Sequence, residues 1–403
     1  MVNQTGHIDQ IKQLNTAIVY RVIDQHGPIS RIALSKQSQL APASITKITR
    51  ELMDAHLIKE LEFPVLGLRG RPAVGVVIES DGWQFLAIRI ENKKIIISLK
   101  EISAITLAQT EYPFDVNGND EFIGSLSELI SQFFATHQNV LERVTAISIL
   151  SNGILDPYSC VIYQHIHFNI SQLAIGEYLT KQTGLPVYLH SPVDALALMD
   201  HFTHLAKRSA KNVIYLQLQD VVDLMALNHG ITLDANTQRP ILFGHVQSEL
   251  NLDETCYCGG RGCLETQVSM PAIVRQANQL LARYPDSYLH QHTICIDNIC
   301  TGAKINDALC VYLIDKIAKQ LAKPLAIIVN LLGTELILIN SPLNQIFELF
   351  FDKLLHHINQ YTIPLYSTNL QIEKSMYTIQ ESETSLIQRA LYDGSLLLQL
   401  LQG

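Results

Sequence analysis

Apolar residues recur at helical spacing from the start of the chain. Between Asp9 and Gln25, Ile11, Leu14, Ile18, Val19 and Ile23 trace one face, and His26-Gly27-Pro28 ends the pattern. Ser30 is an N-cap type opening a short helix to Gln37, and Pro42 stands at the first turn of a third, where a missing N–H costs nothing. At 100° per residue, Ile45, Ile48, Thr49 and Leu52 share one side of that third helix. Ala43, Lys47, Arg50 and Asp54 share the other, with Ser44 and Thr46 at its margins. Two strands follow, Leu57 to Leu61 and Ala73 to Ile78.

Beyond residue 80 the pattern alternates. Strands are expected at Phe85 to Ile90, Ile95 to Leu99, Val144 to Leu150, Val187 to Leu189, Val213 to Leu218 and Leu336 to Ile339. Helices are expected at Phe122 to Thr136, Ile273 to Tyr284 and Ala308 to Val329, which makes the body α/β. The leucine-rich run Thr384 to Leu401 is amphipathic, but its polar side has Arg389 alone against Glu383 and Asp393. A membrane-surface helix carries more cations than that, so packing on the head or across a dimer is expected.

The chain has 403 residues, 47% of them hydrophobic and 17% charged. That length exceeds the ~250 to 300 residues at which single cores stop growing, so two or three domains are expected. No uncharged apolar run reaches the ~18 residues of a membrane span. Met1 to Gln10 shows no basic region leading into an apolar one, so a cytoplasmic location is expected, with cysteines read as thiols or metal ligands. The net charge of −9 argues against a chain that coats nucleic acid, yet it is unevenly spread. Residues 1–80 carry nine Lys and Arg against seven Asp and Glu, leaving the acidic excess in the remainder.

That basic head has a recognisable use. A short helix, a tight turn and a helix with small, hydroxyl and basic residues outward match a helix-turn-helix, in which Ser44, Thr46, Lys47 and Arg50 reach DNA phosphates and base edges. A three-helix packing unit with a solvated face would show the same periodicity. The following hairpin favours DNA, because it is placed as a wing and its turn reads Gly67-Leu68-Arg69-Gly70-Arg71-Pro72. Arg69 and Arg71 flanking the thin Gly70 suit a narrow, electronegative A·T minor groove; an exposed basic turn is the simpler alternative.

The body has one strong chemical signature. His245 precedes Cys256, Cys258 and Cys263 in the stretch Gly-His-x10-Cys-x-Cys-Gly-Gly-Arg-Gly-Cys-Leu-Glu. One imidazole and three thiolates fill a tetrahedral zinc site completely, so one structural Zn2+ per chain is expected; a redox pair is the alternative. Cys160, Cys295, Cys300 and Cys310 lie in apolar surroundings and read as packing residues.

This stretch resembles the signature of the ROK family (repressors, open reading frames, kinases), and the winged head resembles its repressor branch. Gly6-His7-Ile8-Asp9-Gln10-Ile11-Lys12-Gln13, Leu40-Ala41-Pro42-Ala43-Ser44-Ile45-Thr46-Lys47-Ile48, Arg69-Gly70-Arg71-Pro72-Ala73 and Gly394-Ser395-Leu396-Leu397-Leu398 carry that likeness. The resemblance implies a winged helix-turn-helix domain (1–80) and a two-lobed, actin-like, sugar-kinase-like body. Its first lobe would hold residues 81–198 plus 381–403, and its second, residues 199–380 with the zinc loop and an oligomerisation surface.

The kinase parts look lost. The first phosphate turn is Glu91-Asn92-Lys93-Lys94, and the second phosphate loop is Gln219-Asp220-Val221-Val222-Asp223-Leu224, neither with glycine. The general-base segment reads Ser191-Pro192-Val193-Asp194-Ala195, in which proline takes the base position and Asp194, two residues on, is not expected to replace it. Leu242 replaces a sugar-contacting Glu, and Ile339-Asn340-Ser341 replaces late glycines. No catalytic residue and no ATP are therefore expected.

The resemblance further implies a cytoplasmic, nucleoid-associated repressor of sugar-uptake and phosphotransferase-system genes. It would be a homodimer or tetramer on a double-stranded operator with A/T-rich flanks. Relief would come from sequestration on the unphosphorylated IIB domain of the membrane glucose transporter, with Phe134 as a docking aromatic and Glu249, Asp253 and Glu254 as a second rim. The alternative is induction by a small sugar or sugar phosphate in the cleft.

Overall fold

The computed structural model describes residues 4–63, 73–204, 211–229, 231–233, 240–248 and 254–402. The head holds α1 (Gln4–His26), α2 (Arg31–Ser38), α3 (Pro42–Asp54) and a hairpin of β1 (Ile58–Phe63) and β2 (Ala73–Ile78). α1 begins five residues earlier than its apolar pattern indicates. Ser30 Oγ accepts the Ala33 N–H at 3.2 Å and starts α2. Gln39, at φ 57°, opens the three-residue turn to α3, and the Ser35 hydroxyl fixes it by donating to Leu40 O at 2.7 Å. Ile45, Ile48, Thr49 and Leu52 are the buried face of α3. The hairpin pairs Ile58 with Ile78 through Phe63 with Ala73. Ile29, just before α2, exchanges both backbone hydrogen bonds with Val76, binding the wing to the helix-turn-helix.

Two sheets of one topology form the body. In the first, β3 (Trp83–Glu91), β4 (Lys94–Glu101) and β5 (Thr106–Pro113) form an antiparallel meander, while β6 (Arg143–Ser151) and β10 (Val187–His190) run parallel to β3. A small sheet of β7 (Ile154–Asp156), β8 (Val161–Gln164) and β9 (Ser171–Leu173) intervenes. In the second, β11 (Asn212–Leu218), β12 (Val222–Asn228) and β13 (Ile231–Thr232) make the meander, and β14 (Leu336–Asn340) and β15 (Gln371–Lys374) the parallel pair.

α4 (Asn119–Thr136) and α5 (Ile175–Thr183) cover one face of the first sheet, with Phe122, Leu126, Ile130, Phe133 and Leu179 buried against it. α6 (Pro192–His204) lies between the sheets. Val193 and Ala197 pack on Val213, Tyr215 and Leu338 of the second sheet, while Ala195 and Leu198 meet Leu150 of the first. α7 (Glu265–Val268), α8 (Met270–Leu280), α9 (Ile296–Lys304), α10 (Ala308–Leu332) and α11 (Phe347–Asn359) cover the far face of the second sheet. Cys300 and Cys310 are fully buried there, and Cys160 and Cys295 are half-buried.

The leucine-rich C-terminal run is two helices, α12 (Ser385–Tyr392) and α13 (Ser395–Gln402), broken at Gly394 (φ 80°). Both pack on α1. Ile387, Leu391, Leu396 and Leu397 share one core with Val19, Tyr20 and Ile23 of the head and Phe85 and Ala146 of the first sheet. Each such side chain taken fully from water contributes about 1.5–3 kcal/mol, so the head is fused to the body through the C-terminus.

Candidate functional site

On α3, Lys47 and Arg50 are exposed, as is Thr46, whose hydroxyl donates back to Pro42 O at 2.9 Å; Ser44 is half-buried. Arg50 Nε stands 4.0 Å from Asp54 with side chains 80% and 75% exposed, a contact weak enough for a phosphate to displace. Arg31 was not apparent from spacing. Its Nε donates to Thr49 Oγ1 at 3.2 Å and its Nη1 to Glu60 at 2.8 Å, so it ties α2 to α3 and to the hairpin. Arg69, Gly70 and Arg71, with the rest of the turn from Gly67 to Pro72, lie outside the described residues.

The four residues of the Cys/His signature converge, their ligand atoms all within 4.8 Å of one another. Cys256 Sγ is 3.5 Å from His245 Nδ1, and Cys258 Sγ is 3.7 Å from Cys263 Sγ. Thiolates ~2.3 Å from a common tetrahedral ion stand roughly 3.8 Å apart, so the residues present fit zinc. The Gly260 N–H donates to Cys258 Sγ at 3.4 Å. Tyr257 turns its hydroxyl to within 3.1 Å of His245 Nε2, leaving Nδ1 toward the thiols. Burial lowers the His245 pKa and favours the neutral imidazole that ligates metal. Of the acidic rim, Glu254 pairs with Arg275 at 2.7 Å; Glu249 and Asp253 lie outside the described residues.

The Cys/His loop also forms part of a cavity between the lobes. Ser191, just before α6, and Asp194 in its first turn reach it, with Asp223 from β12 and with His245 and Glu265 from either side of the cysteines. Pro192 opens α6 where a base would stand, but Asp194 faces the cavity, contrary to the expectation from its offset. Its carboxylate lies 3.3 Å from His190 Nδ1. Burial pushes the Asp223 carboxyl up to about 7, the Asp194 charge adding to it against hydrogen bonds from the Leu224 N–H and the Ser191 hydroxyl. Burial pushes Glu265 up to about 8 against the bond it accepts from the Val222 N–H at 3.1 Å, and Asp223 raises it further. Gly244 permits this approach: a Cβ there would stand 2.2 Å from Val222 O and 2.7 Å from Glu265 Oε2.

The two phosphate-turn positions differ in charge. At the β3–β4 tip Lys93 takes a left-handed conformation (φ 57°), and Lys94 is bound by Glu91 at 3.5 Å and Glu111 at 3.0 Å. At the β11–β12 turn Asp220 pairs with His167 at 3.4 Å, across from the first lobe. Phe133 is fully buried in the α4 core, whereas its neighbour Phe134 is half-buried at the edge of that core.

Two sheets of one topology, the helix between them and a loop of one histidine and three cysteines at the cleft define a ROK protein, and the chain belongs to that family, matched over residues 85–380. Along its whole length it is 37% identical to the DNA-binding transcriptional repressor Mlc of Escherichia coli K12, over 404 residues covering 100% of this chain and 99% of Mlc. It is 31% identical to NagC, a dual transcriptional regulator of the same organism, over 99% and 98% of the two chains. A crystal structure of a ROK family transcriptional regulator, a homolog of the Escherichia coli Mlc protein, superposes with a TM-score of 0.88 at 35% identity, over 98% and 100% of the chains. A ROK glucokinase from Streptomyces griseus superposes with a TM-score of 0.62 at 16% identity, over 76% of this chain and 98% of that one, a likeness of fold alone.

Proposed function

We propose that this chain is a DNA-binding transcriptional repressor of sugar-uptake genes, those of the phosphotransferase system included, without kinase activity. The exposed Lys47 and Arg50 face of α3, on a chain similar end to end to repressors, carries this reading. Ser44, Thr46, Lys47 and Arg50 enter the major groove, and Arg69, Gly70 and Arg71 an adjacent A/T-rich minor groove. The protein acts as a homodimer or tetramer, since a two-fold operator needs at least two heads. His245, Cys256, Cys258 and Cys263 hold one zinc, which when bound supplies structure rather than catalysis.

Relief comes from sequestration on the unphosphorylated IIB domain of the glucose transporter, with Phe134 in the docking surface. What supports protein sequestration over sugar induction is the sequence at two positions that the family resemblance assigns to the sugar, Pro192 and Leu242, neither of which offers a hydroxyl a partner. A labelled operator complex tests it. Vesicles carrying dephosphorylated transporter are expected to strip the protein from DNA while glucose and glucose 6-phosphate at millimolar concentration do not. Release by either sugar without vesicles would refute it.

A further inference from the structure

We infer that the two lobes are latched together by polar bridges running from side chain to side chain, and that α6 passes the state of this latch to the N-terminal head. His167, in the loop between β8 and β9, places Nε2 3.4 Å from Asp220 Oδ2 at the β11–β12 turn. Asn152, directly after β6, accepts at Oδ1 a hydrogen bond from Gln217 Nε2 of β11 at 3.4 Å. Both bridges thus join a loop of the first lobe to the same hairpin of the second. The hairpin turn is itself held, because the Met270 N–H at the start of α8 donates to Gln219 O at 2.9 Å. On the facing side, the His167 N–H donates to His165 Nδ1 at 3.1 Å. A Cβ on Gly153 would stand 2.2 Å from Gln164 O, so the Asn152 turn is pressed onto the strand that leads to His167. The two first-lobe loops therefore move as one.

The latch is balanced rather than permanent. The His167 and Asp220 side chains are 16% and 41% exposed, so water competes for that pair. Gln217 is 1% exposed and its Oε1 is buried without a hydrogen-bond partner, a cost of the latched state that hydration on opening removes. Two weak bridges set against one unsatisfied amide oxygen leave a small difference between the states, as a switching element requires. α6 carries that state outward, since it packs on both sheets and is tied to the C-terminal helices. The Ser385 hydroxyl donates to Ala195 O at 2.9 Å, Leu386 of α12 shares a core with Ala195 and Leu198, and the Phe202 and Tyr392 rings meet edge to face with centroids 5.0 Å apart. Tyr392 in turn holds Asp24 of α1. A shift of α6 as the lobes part therefore reaches the head through Phe202, Tyr392 and Asp24.

Hydrogen exchange and small-angle X-ray scattering on the full chain without DNA test the latch. Asp220→Ala and His167→Ala are each expected to speed amide exchange in residues 217–222 at least threefold and to raise the radius of gyration, with exchange in the α10 core unchanged. His167→Asp combined with Asp220→His rebuilds the pair in reverse and is expected to restore slow exchange, a rescue that a merely structural role of either side chain would not give. Exchange in α1 around Asp24 reads the relay: Asp220→Ala is expected to speed it at least twofold, and to add nothing once Phe202→Ala has removed the ring against Tyr392. Operator affinity, the one readout that rests on the DNA-binding reading, is expected to fall at least threefold in Asp220→Ala. Unchanged exchange and radius in both single variants, or no rescue by the reversed pair, would overturn the latch. Opening that alters neither α1 exchange nor operator affinity would overturn the relay.

Discussion

Tyr392, at the end of α12, donates its phenol hydroxyl to the carboxylate of Asp24 on α1, so that residues 368 positions apart clasp the head to the body. Gln13 Nε2 adds a bond to Asp393 O at 2.9 Å, and the next residue, Gly394, lies so close to α1 that a Cβ would stand 2.7 Å from Gln13 O. The C-terminal helices are therefore a structural part of the N-terminal head. Leu396→Ala and Leu397→Ala, at fully buried positions, should each cost about 2–5 kcal/mol in urea unfolding. The same variants should weaken operator binding. Unchanged stability, or loss in the body without effect on DNA binding, would contradict the shared core.

Metal analysis of purified protein should find about one zinc per chain. Cys258→Ala and Cys263→Ala should each lose it and lower the melting temperature, since a structural zinc contributes folding free energy directly. Zinc content well below stoichiometric in the unaltered protein would refute the site.

On the DNA face, Lys47→Ala should reduce affinity for all sequences and lower the slope of log affinity against log salt by ~1, as expected on losing one phosphate contact. Arg69→Ala with Arg71→Ala should weaken sites with A/T-rich flanks more than G/C-rich ones. Equal losses on both would leave the minor groove without a role. Arg31→Met, which unties α2 from α3 while retaining bulk, should weaken binding although Arg31 need not touch DNA.

Acid should destabilise the protein through His165. Burial holds this imidazole down at about 3 from its ordinary 6.5, with His167 adding to the effect. The folded state resists its protonation and the unfolded state does not, so the penalty is absent above about pH 6.5 and grows as pH falls toward 3. Between pH 7 and 5 the unaltered protein should lose about 2 kcal/mol more than His165→Asn in parallel denaturant titrations. Parallel curves for the two would show that His165 is not the acid-sensitive group.

The head was legible because its determinants are local. The spacing of Ile45, Ile48, Thr49 and Leu52, the Pro42 start and the Ser30 cap act within one or two turns, and β1 and β2 are neighbours in sequence. Apolar runs located six of the thirteen body strands among the described residues, each to within two residues, and missed β5, β7, β8, β9, β12, β13 and β15. The Cys/His cluster was legible because three of its four residues lie within eight positions, and the structure brings all four together. The acidic cavity was not, because Asp194, Asp223 and Glu265 come from separate elements that only the packing of α6 between two sheets brings together. Asp194 seemed misplaced for the same reason: its offset from a base position says nothing of which side of the first α6 turn faces the cleft.

Binding of the purified protein to the control region of a sugar-uptake gene, measured by anisotropy from low to physiological salt with random DNA as competitor, tests the central claim most directly. The account predicts a steep fall in affinity with salt, a dissociation constant of order 10⁻⁸ M or below at physiological salt, and a preference of at least ~10³ over random sequence. Binding no tighter than to random DNA at every control region tried, or binding unaffected by Lys47→Ala and Arg50→Ala together, would contradict it.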